Sequence, residues 1–458
     1  MPEVTAGPDR SGGDAGGARA GDGRATFWTV AMAGRRRGRL VAWGRRHIRV
    51  VVYSSALAFY LLGVWLHIPY GGGHIYSDIV TVFQGRECSS VCNVQVPYLQ
   101  VFVEYPVITS MFMYAMGVLG SLLSGDLLTN YYYFTAAFLV VPTLLLVREM
   151  LKLAEMRGRP REKVLWYFIV TPTFAYMVLL NWYVIGVFFA VAGLRRFLEG
   201  RVAYGGVLLG LSAASNLVTA IPALGLLLAS KTMRERVVLL CAGLGTYALI
   251  NLPFIVLAPQ RWYEAFNYTY NWYIENSWIQ VFTSYLFSPV KHYVPPVAFA
   301  AVIAGMLWLR FRKGVDDPIV LAFLAMFGYV FSTYIYPPQL NLTLLPFFVL
   351  LPVAGYLEFM AFDTANALIA VLGFSQALLP LGITYSFNAF NRFSFLWWVE
   401  VVRSFWVGKL MVLNRIPAIQ ASAPWGKRRT GARREKRPLP PRRREEVEPA
   451  ERQGPSWV

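Results

Sequence analysis

From about residue 50 to 413 the chain alternates long apolar runs with short polar stretches. A membrane-crossing helix needs roughly 20 mostly apolar residues. Runs of about that scale fall near 50–68, 105–122, 127–147, 164–180, 182–198, 202–215, 217–230, 237–257, 294–310, 318–336, 342–360, 364–384 and 395–413. The pattern predicts an all-α fold, a polytopic transmembrane helical bundle. Two runs, 202–215 and 217–230, are short for a full crossing; they meet at Ser215-Asn216, and Pro222 interrupts the second. Such a pair either brings polar backbone to a site at membrane depth or forms one kinked hairpin packed in the bundle.

Basic residues set an orientation. Arg35, Arg36, Arg37, Arg39, Arg45, Arg46 and Arg49 precede the first run and place the N-terminus inside. If every run crossed, the loop 148–163, with six basic residues, would lie outside. The conflict disappears if 105–122 does not cross. That segment opens with Glu104-Tyr105-Pro106, contains Gly117 and Gly120, and fits an interfacial or re-entrant element shielded by protein. About 12 spans then alternate. Inner loops 148–163, 195–201, 231–236 and 310–317 hold fifteen Lys and Arg, against four outside: Arg86, Arg261, Lys291 and Arg392. Both termini are expected in the cytoplasm of a multi-pass cell-membrane protein. The outer face carries two large loops, 69–104 and 258–293.

Composition agrees with a bilayer environment. Of the 458 residues, 56% are apolar and 15% charged; soluble domains carry roughly 25% charged residues. The formal net charge is +18, of which segments 1–49 and 421–458 each contribute +6. The domain reading is a basic tail at 1–49, a membrane domain at 50–413 and a second basic tail at 414–458, with Pro438, Pro440 and Pro441 arguing for a disordered end. Arg-rich tails beside a membrane body read as flanks facing anionic lipid rather than as nucleic-acid binders, so no nucleic-acid partner is expected. The first 26 residues have no apolar stretch of signal-peptide type. Cys88 and Cys92 either form one local bridge or stay free, and Cys241 reads as a packing residue. No CxxC or HExxH spacing occurs and the four His are scattered, so neither a metal nor a cofactor is expected.

Candidate chemistry gathers in the first outer loop. Asp78 sits in His74-Ile75-Tyr76-Ser77-Asp78-Ile79, and Glu104 in Val103-Glu104-Tyr105-Pro106. A carboxylate in a semi-dry cleft can act as a general base, because partial desolvation favours its protonated form. The alternative is a loop acid that caps the segment beginning at Ile79. The second outer loop is dense in Trp and Tyr, which suits either the headgroup layer or the faces of sugars. Two sequons, Asn267-Tyr268-Thr269 and Asn341-Leu342-Thr343, fall on or near this face. The pattern is short and often arises by chance.

The strings YSDIVTVFQGR and VPYLQVFVEYPVITSMFM, with NWYVIGVFFAVAGLRRFLEGRVAYGGVLLGLSAASNLVTAIPALGLLLA and, more weakly, YPPQLNLTLLP, resemble family-87 glycosyltransferases across roughly residues 50–350. These are multi-span enzymes of the GT-C fold, and the mycobacterial phosphatidylinositol-mannoside mannosyltransferase belongs to this group. The resemblance implies transfer of a hexose, often mannose, with inversion, from a polyprenyl-phosphate sugar to a lipid or glycan acceptor on the outer membrane face. By this likeness Asp78 is the base that takes the acceptor proton, and Glu104 orients acceptor or donor. Tyr76, Tyr105, Asn181, Trp182, Asn216 and Gln339 fall on the matching motifs as substrate-binding residues. Two positions depart from the pattern. Asn181-Trp182-Tyr183 stands where the family has N-W-D, and Asn216 stands where it has Lys. Arg261, Lys291, His292 or Arg392 are the outer-face groups that could meet donor phosphate instead.

Other classes remain open at this stage. A transporter or lipid flippase also has many spans and broken helices, but usually carries charges at mid-membrane and two similar halves. Here the spans contain almost no Asp, Glu, Lys or Arg, and the halves show no repeat. A catalytically inactive GT-C-like protein would explain Tyr183 and Asn216.

Overall fold

A computed structural model describes residues 46–70, 75–85, 94–283, 287–374 and 394–412. His74, Arg86, Cys88, Cys92, Arg392 and nearly all of both basic tails lie outside the described residues. Among those described, the chain is helical with no strand; two isolated bridges, Pro97–Val101 and Glu275–Ile335, are the only extended pairings.

Helix α1 (Ile48–Leu66) leads into the short α2 (Asp78–Gly85), α3 (Val107–Ser121) and the long α4 (Leu127–Met156). Then follow α5 (Pro172–Met177), α6 (Tyr183–Leu198), α7 (Val202–Ser215), α8 (Pro222–Ala229), α9 (Met233–Leu257) and α10 (Pro259–Asn271). The chain continues through α11 (Val290–Arg312), α12 (Pro318–Ser332), α13 (Asn341–Leu350), α14 (Tyr356–Phe374) and α15 (Phe395–Val412). Five of these, α1, α4, α9, α11 and α14, have helices long and apolar enough to cross a membrane.

Several apolar runs prove discontinuous. The run 164–180 is a π-type turn at Leu165–Ile169 and then α5, which restarts because Thr171 accepts the Phe174 N–H and Pro172 has no N–H to continue the preceding turn. The run 342–360 divides at Leu351-Pro352, between α13 and α14. The junction of 202–215 and 217–230 is a true break. Asn216 is extended (φ −160°, ψ 117°), and its side chain accepts the Val218 N–H to start a 3₁₀ turn before Pro222. The Ser215 carbonyl at the end of α7 accepts the Thr109 hydroxyl of α3 at 2.7 Å.

The core is built on α12 and α13, which are apolar on every side and almost wholly buried, as expected of central helices. Phe323, Phe327, Phe347, Phe348 and Phe359 interlock there. Close approach needs missing side chains: a Cβ on Gly225 of α8 would stand 2.3 Å from the Leu321 carbonyl oxygen of α12. Outward faces are apolar too. Within α9 only Leu239 and Asn251 are buried, while Leu244, Leu249, Leu252 and Val256 are exposed. Apolar residues facing both inward and outward suit a protein solvated by lipid. Cys241 is on that outward surface of α9 and is exposed, so the packing role expected for it is corrected: among the described residues the helix buries Leu239 and Asn251 and leaves this face uncovered.

The bundle has two unlike ends. At one, the basic loops knit together: Arg157 pairs with Asp317 at 2.5 Å, Arg159 donates to the Leu350 carbonyl, Arg310 donates to the Leu228 carbonyl, and Arg195 is buried against Glu149 and Glu199. At the other end, segments 75–78, 94–106, 180–183, 259–275 and 333–340 converge.

Candidate functional site

Asp78 is positioned by contacts about a hundred residues away. Ser77 starts α2: its hydroxyl accepts the Ile79 N–H and lies 3.1 and 3.0 Å from the Leu179 and Leu180 carbonyls. The Asp78 N–H donates to Leu180 O at 2.8 Å. Its carboxylate then takes two side-chain donors, the Tyr76 hydroxyl to Oδ1 at 2.6 Å and Asn181 Nδ2 to Oδ2 at 3.3 Å. Asn181 also uses its Oδ1 to accept the Tyr183 N–H, capping α6. Asp78 is only 8% exposed. The capping bond at Ile79 comes from Ser77, and the Asp78 carboxylate is directed to Tyr76 and Asn181.

Glu104 is held on a second wall. Tyr98 adopts a left-handed conformation (φ 63°), uncommon for a non-glycine residue, and its hydroxyl donates to the Tyr105 carbonyl. Ser110 Oγ donates to the same carbonyl at 2.7 Å. Arg261, from α10, donates to the Tyr98 and Leu99 carbonyls and so staples segment 94–106 to α10. Trp182 is buried and meets the Tyr105 ring edge-on at 4.9 Å.

These walls enclose a cavity of about 470 Å³, within the range of small-molecule sites. Asp78, Glu104, Tyr76, Tyr105, Asn181, Asn216 and Gln339 all line it. Trp182, Arg261, Lys291 and His292 do not line it, and each works behind the wall. Lys291 is buried and donates to the carbonyls of Asn271 and Trp272 at 2.9 and 2.7 Å, so it caps the C-terminal end of α10. His292 stacks on Tyr270 with ring centroids 4.4 Å apart. Among the described lining residues there is no Lys, Arg or His. No group of three or more metal-ligating side chains occurs among the described residues.

Residues that the sequence pattern did not single out complete the site. Glu275 is a third lining carboxylate, 7% exposed. Tyr183 lines the cavity as Asn216 does, so both departures from the family pattern stand on its wall. Tyr268, Tyr270, Trp272, Tyr273 and Tyr334 make an aromatic wall. The only sequence signal for Glu275 was its place in a Trp- and Tyr-rich stretch. The apolar runs also bury charge: α15 holds Glu400 and Arg403 completely buried. Arg403 is committed to Asn366 and to the carbonyls of Asn276 and Tyr336.

No family model and no curated protein sequence matches the chain.

Proposed function

We propose that the protein is an integral-membrane glycosyltransferase of GT-C type. It moves a hexose, mannose first among the candidates, from a polyprenyl-phosphate donor to the hydroxyl of a lipid or glycan acceptor, with inversion. One observation carries the reading: five separate stretches of sequence bring Asp78, Glu104, Asn181, Asn216 and Gln339 to a single cavity. In this mechanism Asp78 accepts the proton of the attacking hydroxyl, while Tyr76 and Asn181 fix its orientation. The phosphate-linked sugar is already activated, so its departure needs charge stabilisation more than protonation. Neutral donors on the wall, Asn216, Tyr183 and Gln339, serve that purpose here in place of the acid and the lysine of the family pattern.

The two unlike ends support an orientation. The knitted basic loops face the cytoplasm together with both termini, and the cavity faces outward. Helix α3, with 15 residues, is about 22 Å long at 1.5 Å per residue, short of the roughly 30 Å hydrocarbon layer. Length alone does not set it apart, since α7, α12 and α13 are no longer than α3; α3 is read as non-crossing because the basic loops then share one side, with the remaining runs as about 12 spans. The isoprenoid tail of the donor lies in the bilayer beside Leu217, which is exposed and also borders the cavity.

Mass spectrometry of lipid extracts from cells lacking the gene tests the reading. A glycolipid short of one hexose should accumulate and disappear when the gene is restored. An unchanged glycolipid and glycan profile would count against it.

A further inference from the structure

We propose that Glu275 is the anchor of a pyranose subsite in this cavity, its carboxylate accepting sugar hydroxyls while Trp272 and Tyr273 cover the ring's apolar face. The inference deepens the glycosyl-transfer reading and rests on it. Its first support is rigidity. The Glu275 N–H donates to the Tyr334 carbonyl and the Tyr336 N–H donates to the Glu275 carbonyl, each at 2.8 Å, which joins two segments sixty residues apart. Asn276 follows in a left-handed conformation (φ 52°), which Asn tolerates better than most residues. Arg403 locks the junction from beneath, donating to the carbonyls of both Asn276 and Tyr336, with its guanidinium 3.6 Å from the Tyr336 ring centroid.

The second support is chemical. Trp272 Nε1 donates to Glu275 Oε2 at 2.7 Å, and Asn276 Nδ2 lies 3.4 Å from Oε1. The Trp272 ring in turn stacks on Tyr273 at 4.8 Å and tilts against Tyr268 at 5.3 Å. A carboxylate offers about four acceptor positions, so wall donors and ligand hydroxyls can share it. Burying one in an aromatic wall is costly unless it is hydrogen-bonded. With no basic side chain among the described lining residues, the ligand that suits this wall brings neutral hydroxyl donors and a flat CH face together. A hexopyranose has both. An anionic group set against the Glu275 carboxylate would meet like charge with no basic side chain beside it among the described lining residues, which assigns this wall to the sugar and leaves the phosphate to the Asn216 wall.

The test uses the full chain in detergent micelles and saturation-transfer NMR with methyl α-D-mannopyranoside, with tetramethylammonium as a cationic probe for the same aromatic wall. The parent should transfer saturation to the mannoside ring protons. Glu275→Gln should weaken binding about tenfold or more, the scale of a lost charged hydrogen bond, and Glu275→Asp should weaken it less. Elution volume and helicity of each variant must match the parent, which separates lost binding from lost folding. Equal mannoside binding by the parent and Glu275→Gln would overturn the proposal, as would binding of tetramethylammonium but not mannoside. Glu275-dependent binding without sugar transfer by parent membranes would keep the subsite and remove the reaction. Transfer with the same donor KM and the same acceptor KM in the parent and Glu275→Gln would keep the reaction and remove the subsite.

Discussion

Three buried polar side chains near the cavity end show how single residues are conditioned by what surrounds them. Asp78 and Glu275 each receive a donor from an aromatic side chain, Tyr76 and Trp272, which fixes the carboxylate where a ligand can reach it. His67, just beyond α1, lies between the carbonyls of Tyr176 at 2.8 Å and Ile75 at 3.3 Å. Burial pulls its imidazole below its usual pKa of 6.5, although the carbonyls act in the opposite direction. The folded state thus binds a proton less readily than the unfolded one. The stability contributed by neutral His67 is complete above about pH 6.5 and is lost as the pH falls through that value toward the lower folded one. Thermal melts in detergent should show a falling midpoint on acidification, and His67→Gln should flatten the slope; an identical slope in that variant would refute the assignment. Asp78 and Glu104 were legible in the sequence because each stands in a short polar string beside an apolar run. Glu275 was not, because its place depends on a bridge to Ile335 that no local pattern announces.

At the scale of elements, helix breaks and close crossings shape the site. The α7–α8 break was foreshadowed by two short runs and Pro222, and it delivers Asn216 to the cavity wall. The division of 164–180 was hidden, since its apolar run continues across Thr171-Pro172 while the helix does not. Hydropathy reads burial and cannot register a turn made of apolar residues. The α8–α12 crossing gives a sharper test. At Gly225 a methyl group would meet Leu321 and Ala322 backbone atoms 2.3 Å away, whereas at Gly245 in α9 nothing lies within 4 Å. Gly225→Ala should destabilise by about 1–3 kcal/mol through overpacking. Gly245→Ala should be neutral, or gain up to about 1 kcal/mol from helix propensity. Thermal shift of the two variants side by side measures this, and equal midpoints would contradict the crossing geometry.

The whole molecule has a polarity that single loops do not reveal. Fifteen cations in four loops gave the expected direction, and the folded chain puts contacts of those basic loops at one end and the cavity at the other. The outer cations gave a poorer guide. Arg261 and Lys291 were candidates for phosphate, yet both donate to backbone carbonyls and hold the segments around the cavity in place. A long basic side chain near a site looks the same in sequence whether it meets a ligand or a helix end. In the proposed function Asp78, directed into this cavity, takes the proton in a sugar transfer. Radiolabelled transfer from polyprenyl-phosphate mannose in membranes containing either the parent or Asp78→Asn, at matched protein levels, tests it most directly. The account predicts label in lipid or glycan product with the parent and a loss of about 10²–10⁴ in rate with the variant; equal transfer by both would contradict it.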